Sequence, residues 1–422
     1  MTLNLEKIRA QFPALANPDV IFLDNPGGTQ ICAPSLERVS KYLVESNANR
    51  HGAFETSRIS DRVLDEARMA CKDFYNAARA EEIVFGPNMT SLTLNISRSL
   101  ARLLNPGDRI MVTRLDHDAN ISPWMLVAQD RGCELDWVDF DVEDGTLDMD
   151  SLTRALTRKP KLAAVGYASN ALGTINPVQQ ITQMAKDSGA LVFVDAVQYA
   201  PHGVIDVQEI GCDFLVSSAY KWFGTHVGVL YGRYELLDSL MAYKVRPASD
   251  LPPDKWETGT ANHEGIAGVL GALEYFEWLG ENFGSGLLAQ DATRFSGRAL
   301  RLRQGLAAIQ AYEYELDRAL LDIFFTIPGL RLYGLNDTQR LNKRVPTFSI
   351  NVDGWHPGDL AEKLGQRGVY AWDGNYYALA VTQRLGVEES GGMLRIGAVH
   401  YNTLAEIVRF GEILGDIVRQ GK

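Results

Sequence analysis

The sequence predicts an α/β protein, a large domain around a mainly parallel sheet followed by a smaller C-terminal α+β domain. Three observations lead there. Short apolar runs such as Leu191 to Val194 and Asp213 to Val216 have the composition of strands buried on both faces of a parallel sheet. Runs of this kind alternate with stretches of helical spacing across residues 35 to 290, which is the signature of repeated right-handed crossovers. Polar residues close the runs: Asp195 ends the first, and Ser217, Ser218 and Lys221 follow the second. Parallel strands present ligand sites at their carboxyl ends, so a carboxylate and an amine are expected to meet there.

In chain order, residues 1 to 34 give a short amphipathic segment, a strand at Val20 to Leu23 and the turn Asp24-Asn25-Pro26-Gly27-Gly28. A Gly/Pro cluster lets backbone approach a ligand closely. Pro34 to Ala78 is helical, broken at Asn49-Arg50-His51-Gly52, whose charges read as solvated. Ile83 to Phe85 is extended, Gly86-Pro87-Asn88 turns, and Thr90 to Leu103 is helical with Thr90 or Ser91 as its cap. The N–H groups at such a helix start make a phosphate site. Arg109 to Thr113 is the next strand, and His117 stands where a helix opens after it.

Strands then fall at Glu134 to Phe140 and Leu162 to Tyr167, with helices at Met149 to Leu156 and Gln179 to Ser188. Asn170 lies in the loop Ser169 to Thr174, where asparagine and glycine form turns. After Lys221 come a strand at Val227 to Tyr231, the loop Thr258 to Asn262, a helical region from Gly265 to Phe283, and further helical text from about Ala292 to Leu316. The C-terminal unit reads as strands at Leu330 to Tyr333, Thr347 to Val352, Tyr370 to Trp372 and Met393 to Ala398, with helices at Gly358 to Arg367 and Thr403 to Arg419. Arg395 sits among apolar residues on the last strand, where a guanidinium needs a partner. A substrate carboxylate supplies one through two parallel hydrogen bonds, and an Asp or Glu of the same domain is the alternative.

Composition narrows the classes. Lys and Arg number 41 against 53 Asp and Glu, a net charge of −12, which argues against general nucleic-acid or anionic-membrane binding. The four cysteines, Cys32, Cys71, Cys133 and Cys212, include no C-x-x-C pair, so no metal site is expected and a reducing compartment is. The first residues lack a signal-peptide core and no apolar run is long enough to span a bilayer, so the expected location is cytoplasmic.

The segment Asp195 to Lys221, the run Asp116 to Trp124 (DHDANISPW), Thr258-Gly259-Thr260-Ala261-Asn262 and Met393-Leu394-Arg395-Ile396-Gly397 together resemble the class V aminotransferase family of pyridoxal phosphate (PLP) enzymes, and within it the cysteine desulfurase and selenocysteine lyase branch. The resemblance implies fold type I, with a mainly parallel seven-stranded sheet in a PLP-binding domain at 35–290, a small domain at 291–422, and residues 1–34 packing on the small domain. It implies that the Lys221 amine forms a Schiff base with PLP, that Asp195 pairs with the pyridine nitrogen, that Gln198 donates to the ring oxygen and that Asn170 lies near it. His117 would stack on the ring, and Met89, Thr90, Ser218 and Tyr220 would serve the phosphate. Arg395, Asn170 and Gly28 would meet the substrate, a small amino acid. Thr260 would reach the phosphate of a neighbouring subunit in a homodimer.

Two departures matter. Desulfurases carry a nucleophilic cysteine on a mobile loop of the small domain, whereas the corresponding Gly368 to Ala380 (GVYAWDGNYYALA) has none and no cysteine follows Cys212. Tyrosine does not replace a thiolate at neutral pH. The residue before the lysine is Tyr220 where desulfurases usually have histidine. The expected activity is therefore desulfurase-like C–S or β-lyase chemistry without an enzymic persulfide. An aminotransferase or epimerase on the same fold, and a PLP-binding protein without turnover, are the alternatives.

Overall fold

Seven strands make the large sheet of the computed structural model, which describes residues 3–421. They are β2 (Ile83–Gly86), β3 (Arg109–Thr113), β4 (Glu134–Val138), β5 (Leu162–Gly166), β6 (Leu191–Asp195), β7 (Phe214–Ser218) and β8 (Gly228–Gly232), following β1 (Ile21–Phe22) at the amino end. Their order is β2-β8-β7-β6-β5-β3-β4. Every neighbouring pair from β7 to β4 is parallel, and β8 alone runs backwards, antiparallel to both β7 and β2. The stretch from Ser218 to Gly228 is too short for a crossover helix, so the chain returns directly beside β7. Every residue of β5, β7 and β8 is buried, which is why these strands read as unbroken apolar runs.

The second sheet is antiparallel, in the order β12-β13-β10-β9, from β9 (Leu330–Tyr333), β10 (Thr347–Val352), β12 (Trp372–Gly374) and β13 (Met393–Gly397). A separate parallel pair joins β1 to β11 (Val369–Tyr370), with Ile21 opposite Val369. The amino-terminal strand thus pairs with a strand more than 340 residues later. The helices His263–Phe283 and Gly297–Phe324 pack on one another between the two sheets in sequence. No helix among the described residues is long and apolar enough to cross a membrane.

Several local expectations need correction. The single strand expected at Tyr370 to Trp372 is two strands in different sheets: Tyr370 pairs with Phe22, Trp372 pairs with Arg395, and the chain changes direction at Ala371. The helix expected from Ala292 runs Gly297–Phe324. The helix Met89–Leu100 is capped by Asn88, whose Oδ1 accepts the Ser91 N–H at 2.9 Å, rather than by Thr90 or Ser91. Arg50, expected in solvent, is gripped by Asp61, Asp254 and Asp65 at 3.1, 3.3 and 3.4 Å. A short helix at Leu379–Leu385 was not foreseen.

Candidate active site

Because β2, β3, β5, β6 and β7 point the same way, their carboxyl ends deliver Asn88, His117, Asn170, Asp195 and Lys221 to one edge of the sheet. A cavity of about 1340 Å³ opens there, lined from the large domain by Met89, His117, Asn170 and Lys221, from the second sheet by Trp372 and Arg395, and from the turn after β12 by Tyr376. A narrow extension beneath it reaches Asp195 and Gln198.

Asp195 is buried at the end of β6, where its Oδ1 accepts the Val197 N–H at 2.9 Å. Burial pushes its carboxyl up to about 6, opposed by that hydrogen bond and by the Lys221 charge. Lys221 ends a turn of 3-10 helix at Ala219–Lys221, and its Nζ donates to the Pro26 carbonyl. Burial, reinforced by Arg395, draws its ammonium down to about 7, with Asp195 pulling the other way. An amine so shifted is uncharged far more often at neutral pH than an ordinary lysine, and the uncharged form is the nucleophile.

His117 accepts the Ala119 N–H on Nδ1 at 3.0 Å, so its proton belongs on Nε2. Burial and the Lys221 and Arg395 charges push its pKa down to about 3, which keeps the ring neutral. Beside it Asp116, buried, accepts the Gly166 N–H at 2.6 Å and the Asn120 amide at 3.0 Å. Burial and nearby Asp195 raise its carboxyl to about 8.

The phosphate-binding expectation rests on the start of the helix Met89–Leu100. The Met89 N–H donates to Ser218 Oγ at 3.0 Å and that of Ser91 to Asn88, which leaves the Thr90 N–H without an acceptor among the described residues. Tyr220 lies nearby, stacked on His226 at a centroid distance of 4.9 Å, and a Cβ on Gly28 would meet the Tyr220 ring at 3.3 Å. Thr260 is exposed and does not line this cavity.

Arg395 is 5% exposed, yet it forms no ion pair among the described residues. Its Nη1 donates to the Asn170 carbonyl at 2.9 Å and its Nε has no acceptor. Asn170 Oδ1 and Gln198 Oε1 also lack donors, while the Gln198 Nε2 is used on Thr347 Oγ1 at 3.1 Å. Buried polar atoms without partners cost free energy, and here Arg395 and Asn170 line the large cavity and Gln198 its narrow extension, both beside a low-pKa amine. An acid at one end, a helix start at the other, a flat neutral ring and an amine between them fit PLP.

What sequence reasoning did not foresee is the conformation of Asn375-Tyr376-Tyr377. Tyr376 and Tyr377 are both left-handed, with φ of 54° and 58°. Each costs a non-glycine residue about 1 kcal/mol or more. The segment is held by bonds to the large domain: the Tyr376 carbonyl accepts from Asn170 Nδ2 at 2.9 Å and the Tyr377 carbonyl from the Asp118 N–H at 2.6 Å. The Tyr377 ring, 74% exposed, stacks on His117 at 5.6 Å. The site also holds His226 and Trp372, and Asp116, which adjoins the motif histidine and is the most readable of the three from sequence.

The fold and this site define a PLP-dependent enzyme of fold type I. The chain matches the family model described as aminotransferase class-V over residues 21–286 and 294–410. It is 32% identical over 415 residues to the aminotransferase-like protein FGM3 of Gibberella zeae, covering 96% of each chain. It is 30% identical over 428 residues to the cysteine desulfurase of Pectobacterium atrosepticum, covering 97% of each. Its structure is similar to the apo cysteine desulfurase of Thermococcus onnurineus NA1, with a TM-score of 0.86, 28% identity, and coverage of 100% of this chain and 99% of that one. The chain belongs to the class V aminotransferase family.

Proposed function

We propose that this enzyme acts on a small amino acid by desulfurase-like C–S or β-lyase chemistry, anchored at Lys221 and without a persulfide on the protein. When bound, PLP supplies an electron sink for the bonds of the substrate's α-carbon. Asp195 would hold the proton on the ring nitrogen, and His117 would cover the ring. The Thr90 N–H, with Met89, Ser218 and Tyr220 around it, would receive the phosphate. Arg395 and Asn170 orient the substrate carboxylate, and the Lys221 Nζ moves the proton at the α-carbon.

The observation that carries the reading is the unpaired, buried Arg395 guanidinium facing the same cavity as a lysine amine of lowered pKa. The absence of a persulfide is supported by the cysteines. Cys32, Cys71 and Cys212 are buried with their thiols pushed up by burial, and none of the four lines the cavity. Where desulfurases carry the loop cysteine, this chain has the pinned Tyr376 and Tyr377. The likeness to an aminotransferase-like protein favours transamination as the second reading, with epimerisation on the same fold a further alternative. We further propose a homodimer in which the exposed Thr260 would reach the phosphate of the neighbouring subunit.

The test is to incubate PLP-loaded protein with a panel of amino acids and assay sulfide, ammonia, pyruvate and α-keto acids separately. Pyruvate and ammonia, with sulfide from cysteine, are expected. Sulfide without pyruvate points to desulfuration instead, and keto acid without ammonia to transamination.

A further inference from the structure

Tyr376 touches both groups assigned to the substrate carboxylate. Its ring lies against the Arg395 guanidinium, whose central carbon is 4.3 Å from the ring centroid. Its carbonyl accepts from Asn170 Nδ2, and Arg395 Nη1 returns to the Asn170 carbonyl, both at 2.9 Å. The three residues form a closed circuit. The Tyr376 hydroxyl donates to the carbonyl of Met393, two residues before Arg395 on β13, which fixes the ring relative to the guanidinium.

The circuit uses one face and one corner of the guanidinium. Nη1 is spent on Asn170 and one face is covered, while the Nε–Nη2 edge is free: Nε is buried without an acceptor, and Nη2 makes no hydrogen bond among the described residues. That edge carries two parallel N–H groups, the geometry that matches a carboxylate. Without the ring, the long arginine side chain regains rotamers that turn this edge away from the cavity. The left-handed backbone at Tyr376 and Tyr377 is the conformational cost at which the ring is brought there.

We propose that Tyr376 is a positioning residue for the substrate's α-carboxylate, holding Arg395 and Asn170 so that the Nε–Nη2 edge faces the ligand. This rests on the carboxylate role given to Arg395 above.

The test titrates PLP-loaded protein with L-alanine and with ethylamine, which differ by the carboxylate, and follows the cofactor absorbance. Tyr376→Gly removes the ring and suits a positive φ; Tyr376→Leu is a second variant should the first not fold. Both are expected to weaken L-alanine binding by about 10–100-fold while leaving ethylamine within about twofold, and Tyr376→Phe, which keeps the ring over the guanidinium and loses only the bond to the Met393 carbonyl, should weaken it by no more than about 10-fold. In an Arg395→Lys background, which itself loses the discrimination, Tyr376→Gly should add no further loss. If Tyr376→Gly and Tyr376→Leu keep the wild-type preference while Arg395→Lys abolishes it, the positioning role is wrong and the carboxylate role of Arg395 stands. If wild type treats the two probes alike, the role of Arg395 fails and that of Tyr376 with it.

Discussion

The Lys221 amine draws its character from burial, and its chemistry follows the sign of that shift. Removing charged lysine from water lowers its pKa to about 7, so the neutral amine gains as pH rises through that value. PLP uptake by the apoprotein should quicken from pH 6 to 8 and then level off, as followed by the cofactor's absorbance. An uptake rate still climbing steeply near pH 10 would mean that the amine is unshifted. Lys221→Ala should lower turnover by at least about 10³-fold, since both the anchor and the proton carrier go. Asp195→Asn should keep the cofactor bound yet slow turnover by about 10–1000-fold, because removing a paired charge moves the ring nitrogen's pKa by about 1–3 units. Product assays on the same panel check both.

At the scale of elements, the edge strand β2 and the loop carrying Thr260 are locked together by a buried pair. Arg68 meets Glu257 through two bonds of 2.8 and 3.1 Å, and Glu257 also accepts the Phe85 N–H at 2.8 Å. Glu257→Ala leaves the Arg68 charge buried alone, so unfolding in denaturant should show a loss of about 3–5 kcal/mol. A change below 1 kcal/mol would show that water reaches the site.

The strands of the large sheet were legible because burial on both faces demands apolar runs, and Asp195 and Lys221 because such runs end abruptly in charge. Three features were not legible, two of them because they depend on contacts distant in sequence. Ala371 reads as the middle of a strand because only the partners Phe22 and Arg395 divide it. The Asn88 cap competed with two equally good cap residues downstream. Nothing in Asn-Tyr-Tyr signals two positive φ angles, since tyrosine seldom adopts them and the bonds to Asn170 and Asp118 impose them.

At the scale of the molecule, the site draws on parts of the chain far apart in sequence, and the proposed dimer adds another. Thr260 is exposed and does not line its own cavity, so in the proposed dimer it would reach a phosphate across the subunit boundary. Sedimentation should give a dimer, and Thr260→Ala should weaken PLP affinity by about 10-fold without altering the sedimentation coefficient, the loss of one hydrogen bond to a charged group. A monomer with full PLP affinity would remove Thr260 from the site.

The contact between the Lys221 Nζ and the Pro26 carbonyl ties the reaction centre to a stretch whose strand β1 is hydrogen-bonded into the far end of the chain. Trimming the first thirty residues, or fusing a bulky tag that strains them, would therefore act as an active-site lesion. Any engineering of this enzyme should leave that leading segment untouched.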